Sequence, residues 1–203
     1  MQLYTIGYAT KSLNVFIEQL KHYKIDVVAD VRSVPYSKVF HDYHREAIAQ
    51  SLKQANIRYV YLGEELGPRS KNDDHYNECG QVQFDRLMKS ELFKVGIERI
   101  ELGLSKTYSI ALMCAEKDPA TCHRSLLIAY FLEHRVMNEE GSNRNNIEVL
   151  HIQHDGTIET QYDLERRLLD LHNLGDDLFM SPKESKKQAY KRQLEATSYI
   201  KQD

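Results

Sequence analysis

The stretch MCAEKDPATCHRS, from Met113 to Ser125, places two cysteines, a histidine, an arginine and a carboxylate between two apolar segments. The apolar run before it, which starts at Thr107, is typical of a buried β-strand. The segment after it, residues 126–132, carries apolar residues at the spacing of one helix face. A strand followed by a helix, with polar residues at the junction, indicates an α/β protein and the usual place of its chemistry.

The turn inside this stretch carries a helix start signal. Asp118 followed by Pro119 is typical of an N-cap with proline at the first helical position. We therefore expect Cys122, His123 and Arg124 in or near the first turn of a helix. The positive end of a helix dipole favours a thiolate over a thiol and also favours bound anions. A reactive thiol, an anion pocket and a metal site are all compatible with this segment.

On both sides of this stretch, apolar strands alternate with helical patterns. Four further strands are predicted, at residues 3–7, at IDVVADV from Ile25, at IRYVYL from Ile57 and at the end of NRNNIEVLHI, residues 143–152. Helical patterns follow them, near residues 12–20, around Ile48 and Leu52, and near residues 84–104 and 164–172, and residues 63–80 are predicted as a long loop. This order predicts a single α/β domain over residues 1–175, with a mainly parallel five-stranded sheet and helices on both faces. Residues 176–203 are predicted as a basic helical tail.

Composition and charge narrow the class of protein. The formal net charge of -3 disfavours a generally basic nucleic-acid binder. The N-terminal sequence lacks a signal-peptide pattern, and no apolar run approaches the roughly 18 residues of a membrane span. Three cysteines are too few for a secreted disulfide framework, which favours reduced thiols. We expect a soluble, cytoplasmic protein without a membrane partner.

Polar residues follow every predicted strand. In an open parallel sheet these strand ends border one crevice, where ligands bind. Arg32, Arg69 and Arg124 would meet there with a helix start and bind phosphate or carboxylate. Tyr8, Asp30 and Ser37 are further ligand-binding candidates. The alternative for Asp30 and Arg32 is an internal salt bridge that ties the strand ends together.

The cysteine segment also predicts a catalytic site. Cys122 would be the nucleophile or redox thiol, because a helix start lowers the pKa of a cysteine. Glu116 or His123 would carry the proton, and Arg124 would hold an anionic substrate. A reversible disulfide between Cys114, the possible second thiol, and Cys122 is an alternative. Simple burial of Cys114 as a small apolar residue is another.

A metal site is the remaining alternative for this segment. Cys114, Cys122 and His123 are suitable zinc ligands, and a fourth would come from Cys79, His75 or His151. No C-x-x-C or H-x-x-x-H pair accompanies them. We therefore predict no bound metal or cofactor and keep zinc as the alternative. His151, inside the apolar VLHI, is predicted as a hydrogen-bonded core histidine.

Five segments together resemble the domain-of-unknown-function 488 family: LYTIGYATKSLNVFIEQL, IDVVADVRSVPYSK, IRYVYLGEELGPR, IALMCAEKDPATCHR, and VLHI followed by DG. They occur in the same order over about residues 2–170, and the patterns CAE..P..CHR and DVR..P.S are the most diagnostic. The resemblance implies an α/β domain but no particular reaction. It draws attention to Asp30, Arg32, Pro35, Ser37, Arg69, Cys114, Glu116, Cys122, His123 and Arg124.

Three functions follow as hypotheses. The first is a small cytosolic enzyme that acts on a phosphate-bearing substrate, such as a nucleotide or a nucleic-acid end, through Cys122. The second is a non-catalytic module that binds an anion or nucleic acid in the same pocket. The third is a zinc or redox protein.

Overall fold

The computed structural model describes residues 1–134, 147–175 and 180–201 and confirms the predicted α/β fold. Within these residues, six strands form one sheet: β1 (Gln2–Gly7), β2 (Val27–Asp30), β3 (Arg58–Tyr61), β4 (Ile110–Cys114), β5 (Glu148–Ile152) and β6 (Ile158–Thr160). In the same described ranges, eight α-helices surround it: α1 (Leu13–His22), α2 (Arg45–Gln54), α3 (Gly63–Leu66), α4 (Phe84–Leu87), α5 (Glu91–Ser105), α6 (Tyr130–His134), α7 (Gln161–Leu171) and α8 (Pro182–Thr197). Among these described residues, no helix is long and apolar enough to cross a membrane.

The sheet has the order β3-β2-β4-β1-β5-β6. The first five strands run parallel, and β6 pairs antiparallel with β5. The predicted number of five strands is therefore one short. The turn before β6 contains Gly156 at φ 91°, and the strand has only three half-buried residues. Such a short strand lacks the alternation by which a strand is recognised in a sequence.

Helices pack on both faces of the sheet, as predicted. Phe16 and Leu20 of α1 and Ile48 and Leu52 of α2 are fully buried against one face. Helices α5, α7 and α8, together with the helical segment that follows β4, pack against the other face. Because the strands are parallel, the carboxyl ends of β2, β4, β1 and β5 lie along one edge. The residues of the CAE..P..CHR pattern lie at this edge.

The segment after β4 is less regular than predicted. Asp118 does act as an N-cap, because its carboxylate accepts a hydrogen bond from the Ala120 N–H at 2.8 Å. It caps only one 3-10 turn, Pro119–Thr121, because Cys122 then adopts an extended conformation. The longer helix begins as a π-helix at Arg124–Ala129 and continues into α6. Cys122 therefore lies just before this helix rather than within its first turn.

Two other predicted segments differ in detail. The predicted loop of residues 63–80 contains α3 and a 3-10 turn at Asp73–His75. Both are too short to produce a helical periodicity. The predicted helical region near residues 84–104 is present as α4 and α5. Residues 143–146 of the predicted fifth-strand segment lie outside the described residues.

The described part of the predicted tail is packed on the domain. Ala189 and Tyr190 of α8 are buried in the core that α7 and the helical segment after β4 also form. Beyond α8 the chain runs beside residues 80–82: the Val82 N–H donates to the Tyr199 carbonyl at 2.9 Å, and the Lys201 N–H donates to the Gly80 carbonyl at 2.8 Å. Residues 176–179 and 202–203 lie outside the described residues.

Candidate functional site

Four side chains that the sequence singled out converge after β4. One ligand atom from each of Cys114, Glu116, Cys122 and His123 lies within 4.8 Å of the others. The Cys114 and Cys122 thiols donate to the same carboxylate oxygen of Glu116, with Sγ–Oε2 distances of 2.8 and 3.1 Å. The Nδ1 atom of His123 lies 3.7 Å from the first sulfur and 3.9 Å from the second. Two sulfurs, a nitrogen and an oxygen thus face one point.

A main-chain carbonyl fixes the His123 ring. Its Nε2 lies 2.9 Å from the carbonyl oxygen of Val31, the residue that follows β2. A carbonyl only accepts hydrogen bonds, so Nε2 carries the proton and Nδ1 presents its lone pair to the two thiols. Metal-bound histidines are held in this way, with the other ring nitrogen donating to a carbonyl or carboxylate. The ring is therefore oriented for ligation.

Two helices hold the loop that joins the cysteines. Arg167 of α7 donates two hydrogen bonds to the Asp118 carboxylate, at 3.0 and 2.8 Å. The buried Gln193 of α8 donates to the Ala120 carbonyl at 2.6 Å. The positions of Cys114 and Cys122 therefore depend on the last two helices of the described chain.

Arg124 is a buried cation beside the cluster, only 1% exposed. Its guanidinium donates to the Glu116 and Lys117 carbonyls at 2.7 and 3.3 Å and to Thr5 Oγ1 at 3.3 Å. Within the described residues no carboxylate oxygen lies within 4.0 Å of it. A buried charge needs a counter-charge. Thiolates at the neighbouring cysteines would supply it.

Close packing holds the main chain of Glu116 against β1. A Cβ atom on Gly7, the last residue of β1, would lie 1.9 Å from the Glu116 carbonyl oxygen. Only glycine therefore allows the loop to approach the strand so closely. The same carbonyl accepts the hydrogen bond from Arg124, so this contact helps to place the guanidinium beneath the cluster.

The acid–base properties of the four groups are strongly perturbed. Burial opposes ionisation of Cys122, but its hydrogen bond with Cys114, the charge of Arg124 and the contact with His123 hold its pKa well below the usual value. Burial and the neighbouring Cys122 raise the pKa of Cys114 well above its usual value. Desolvation of the carboxylate, followed by the charge of Cys122, raises the pKa of Glu116. Burial disfavours the charged His123, yet its hydrogen bond to Cys122 and the charge there raise its pKa. Of the two thiols, Cys122 is therefore the more acidic.

A small pocket opens beside the cluster, with a volume of about 230 Å³. Glu116, His123 and Arg69 line it. Thr197, Ser198 and Tyr199, at the end of α8 and beyond it, complete the wall. Of the three predicted anion-binding arginines, Arg69 is the one whose side chain lines this pocket.

Asp30, Arg32 and Tyr8 form a separate, closed network on the other face. The Arg32 guanidinium donates to both Asp30 oxygens, at 2.8 and 2.6 Å, and to the Tyr8 hydroxyl and the Tyr43 carbonyl, at 3.0 and 2.9 Å. The Tyr59 hydroxyl donates to Asp30 at 2.7 Å. Asp30 and Arg32 are 0% and 4% exposed. This is the internal salt bridge that the sequence analysis gave as the alternative to an anion site.

Ser37 is the remaining candidate that the structure does not bring to the cluster. Its hydroxyl accepts hydrogen bonds from the Val39 and Phe40 N–H groups, at 3.2 and 3.1 Å, and so caps a local turn. These bonds give Ser37 a structural role in the described chain.

The three alternative fourth ligands are also engaged elsewhere. His151 is fully buried between Thr5 and Gln161, with Nδ1–Oγ1 and Nε2–Oε1 distances of 2.8 and 2.7 Å, as expected of a core histidine. His75 bonds to Ser70, and Cys79 is exposed. Among the described residues none of the three joins the cluster, and Glu116 takes that place.

Sequence reasoning missed three parts of this site: the Val31 carbonyl, Gln193 and Tyr199. A main-chain carbonyl has no sequence signal, and a glutamine in a polar helix resembles a solvated residue. Tyr199 lies 130 residues from Arg69, and nothing in either local sequence relates them. The loose helical spacing of Tyr190, Leu194 and Thr197 is the sequence signal that allows this segment to be a docking helix.

Comparisons with known proteins give one match. A family model described as "Domain of unknown function DUF488" matches residues 12–131, more than half of the 203 residues. No curated protein and no solved structure matches the chain. The matched range contains both diagnostic patterns and all four residues of the cluster. The chain therefore belongs to the DUF488 family.

Proposed function

We propose that the protein is a zinc enzyme, in which Cys114, Cys122 and His123 hold the metal and Glu116 is an exchangeable fourth ligand. The observation that carries this proposal is the convergence of the four ligand atoms within 4.8 Å. Two sulfurs, an imidazole nitrogen and a carboxylate oxygen are the donor types that zinc prefers. In a tetrahedral zinc site with bonds of about 2.0–2.3 Å, ligand atoms lie roughly 3.3–3.8 Å apart. The sulfur–nitrogen distance of 3.7 Å falls within this range, and the one of 3.9 Å lies just above it. The sulfur–oxygen distances of 2.8 and 3.1 Å are shorter, because the two thiols donate hydrogen bonds to the carboxylate in this structure.

Charge supports the same proposal. Two thiolates and one carboxylate are balanced by a divalent ion together with the guanidinium of Arg124. Arg124 is buried and has no carboxylate partner in the described chain. With the metal bound, the charges of the ion, the two thiolates, Glu116 and Arg124 sum to zero. This removes the cost of an isolated buried cation.

Exposure distinguishes Glu116 from the other three ligands. Cys114, Cys122 and His123 are 3%, 1% and 7% exposed, whereas Glu116 is exposed and borders the pocket. Catalytic zinc sites keep three protein ligands and one position that exchanges with water or substrate. Zinc there acts as a Lewis acid or lowers the pKa of a bound water. A displaced Glu116 carboxylate would remain beside that position as a proton acceptor.

A catalytic cysteine is less well supported. A nucleophilic sulfur must be reached by the substrate, and Cys122 is 1% exposed. The network around Arg32 also satisfies that guanidinium internally. The predicted phosphate site of three arginines therefore lacks one of its cations, and Arg124 is buried as well.

The proposal is tested by the metal content of the purified full-length protein. We expect about one zinc ion per chain, and X-ray absorption should show two sulfur neighbours at about 2.3 Å and two lighter ones near 2.0–2.1 Å. Cys114→Ser, Cys122→Ser and His123→Ala should each remove most of the metal. Cys79→Ser is the matched control, because Cys79 is a free, exposed cysteine, and it should retain the zinc.

Glu116→Gln tests the exchangeable ligand. This variant should keep the metal, and its cobalt-substituted form should show an altered visible spectrum. Protein without zinc that also fails to bind added zinc or cobalt would refute the proposal. Equal loss of metal in Cys79→Ser would do the same.

A further inference from the structure

The pocket beside the four-ligand cluster is bordered by segments far apart in the sequence. Arg69 follows α3, Glu116 follows β4, and Tyr199 follows α8. The hydroxyl-bearing residues Thr121 and Ser198 also line it. The pocket therefore combines one guanidinium with hydroxyl groups next to the proposed metal centre. These groups suit a ligand that carries oxygen atoms and negative charge.

Arg69 is held in place at both ends. Its main-chain N–H donates to Ser33 Oγ at 2.9 Å, and its guanidinium carbon lies 4.6 Å from the centre of the Tyr199 ring. Tyr199 is itself anchored, because its carbonyl accepts the Val82 N–H at 2.9 Å. A cation fixed before binding loses less conformational entropy when a ligand arrives.

Arg69 also differs from the other two predicted anion-binding arginines. Arg32 is paired with Asp30, and Arg124 is buried beneath the cluster. In the part of the chain that the structure describes, no carboxylate oxygen lies within 4.0 Å of the Arg69 guanidinium. Arg69 is therefore the cation of this set that remains able to bind an external anion.

The size of the pocket limits the ligand. Its volume of about 230 Å³ is below the roughly 300–1,000 Å³ of pockets that enclose a drug-sized molecule. It accommodates a phosphate or carboxylate group with a small attached moiety, and any larger remainder would extend into solvent. This favours a small molecule or a terminal phosphate over an internal phosphate of a nucleic acid.

We infer that the pocket binds the oxyanion group of the substrate through Arg69, with the segment Thr197–Tyr199 as its outer wall. This inference rests on the proposed function, because a zinc ion in the cluster offsets the negative charge that the Glu116 carboxylate would otherwise present to an anion. The ligand class is a small phosphate or carboxylate compound. The C-terminal segment is thus part of the binding site.

Calorimetric titration of the zinc-loaded, full-length protein tests this inference. Inorganic phosphate and acetate are the two probes, each at constant ionic strength. Arg69→Gln should weaken binding of the preferred probe by about tenfold or more, the range expected for loss of a charge-assisted hydrogen bond. Arg58→Gln is the matched control. Arg58 also lies over a tyrosine ring, that of Tyr108 at 5.0 Å, but at the opposite end of β3. The affinity of Arg58→Gln for the preferred probe should stay within about twofold of that of the unmodified protein.

Each outcome has a defined meaning. Stronger binding of phosphate than of acetate identifies the phosphate class, and the reverse identifies the carboxylate class. Failure of both probes to bind at 10 mM, or equal binding by Arg69→Gln, would overturn the inference. The zinc content of each sample is measured separately, so that failure of the metal centre is distinguished from failure of the anion site.

Discussion

Two buried arginines at the same edge of the sheet have opposite surroundings. Arg32 faces the α1–α2 side, where both oxygens of Asp30 accept its hydrogen bonds. Arg124 lies on the other side, where its partners are carbonyls and a hydroxyl next to two cysteines. The first charge is balanced within the network, whereas the second is balanced only if the neighbouring thiols ionise. A closed network stabilises the fold, whereas the unbalanced charge of Arg124 supports the proposal of a metal site beside it.

The largest expected effect is a loss of stability when the Asp30–Arg32 network is broken. Asp30→Ala would leave the Arg32 guanidinium buried without its counter-charge, which costs about 3–5 kcal/mol of unfolding free energy. Chemical denaturation measures this loss, and the zinc content of the folded protein should stay unchanged. Asp26→Ala is the control just before the same strand: Asp26 is exposed, and its carboxylate accepts one main-chain hydrogen bond from Ser109. A loss of less than about 1 kcal/mol in Asp30→Ala would contradict the contrast between the two arginines.

The next effect is a pH dependence of the stability, caused by His151 on the same side of the sheet as Arg124. Burial, followed by the charge of Arg124, lowers the pKa of His151 to about 3, compared with about 6.5 in the unfolded chain. Between these values the unfolded state binds more protons, so the protein loses stability as the pH falls. From pH 7 to pH 5 this histidine should contribute a loss of about 2 kcal/mol.

Denaturation of variants at the two pH values isolates this contribution. His151→Gln should lose about 2 kcal/mol less than the unmodified protein between pH 7 and pH 5. His154→Gln, a half-buried histidine just after β5, should keep the full dependence. If His151→Gln and the unmodified protein lost the same stability, the assignment of this buried neutral histidine would be wrong.

The smallest effect concerns one hydrogen bond of the closed network. Tyr59→Phe removes the donor that lies 2.7 Å from Asp30 Oδ2, while Arg32 still occupies both carboxylate oxygens. We expect a loss of about 1 kcal/mol, measured by thermal or chemical unfolding. Tyr61→Phe, two residues along the strand, removes a longer bond of 3.2 Å to a main-chain carbonyl and should cost less. The reverse order would show that Asp30 is not the centre of this network.

The periodicity of the sequence predicted most of the fold. The runs around Val28 and Leu112 are apolar because both faces of these central strands are covered, and the structure buries them fully. Strand β6 and helix α3 were missed, since three or four residues are too few to show a period. The Asp118–Pro119 signal correctly marked an N-cap but not the length of the helical turn after it.

The sequence predicted which residues belong to the candidate site. It did not predict which of them lie together. The sequence indicated Cys114, Glu116, Cys122 and His123, because polar residues after a buried strand are unusual. It placed Glu116 as an acid/base and sought the fourth metal ligand in distant histidines or Cys79. Only the turn at residues 119–121 brings the second thiol back to the carboxylate that the first one contacts.

By itself, the amino-acid sequence determined the alternation of strands and helices and the concentration of reactive side chains at the carboxyl ends of the strands. Both follow from local patterns of apolar and polar residues. Tertiary structure decided which of the charged groups are already paired. Arg32 meets the Tyr43 carbonyl, His123 meets the Val31 carbonyl, and Arg69 meets Tyr199, across separations of 11, 92 and 130 residues. Hydrogen bonds and ion pairs depend on distances of a few ångströms, and those distances are set by how the helices pack on the sheet.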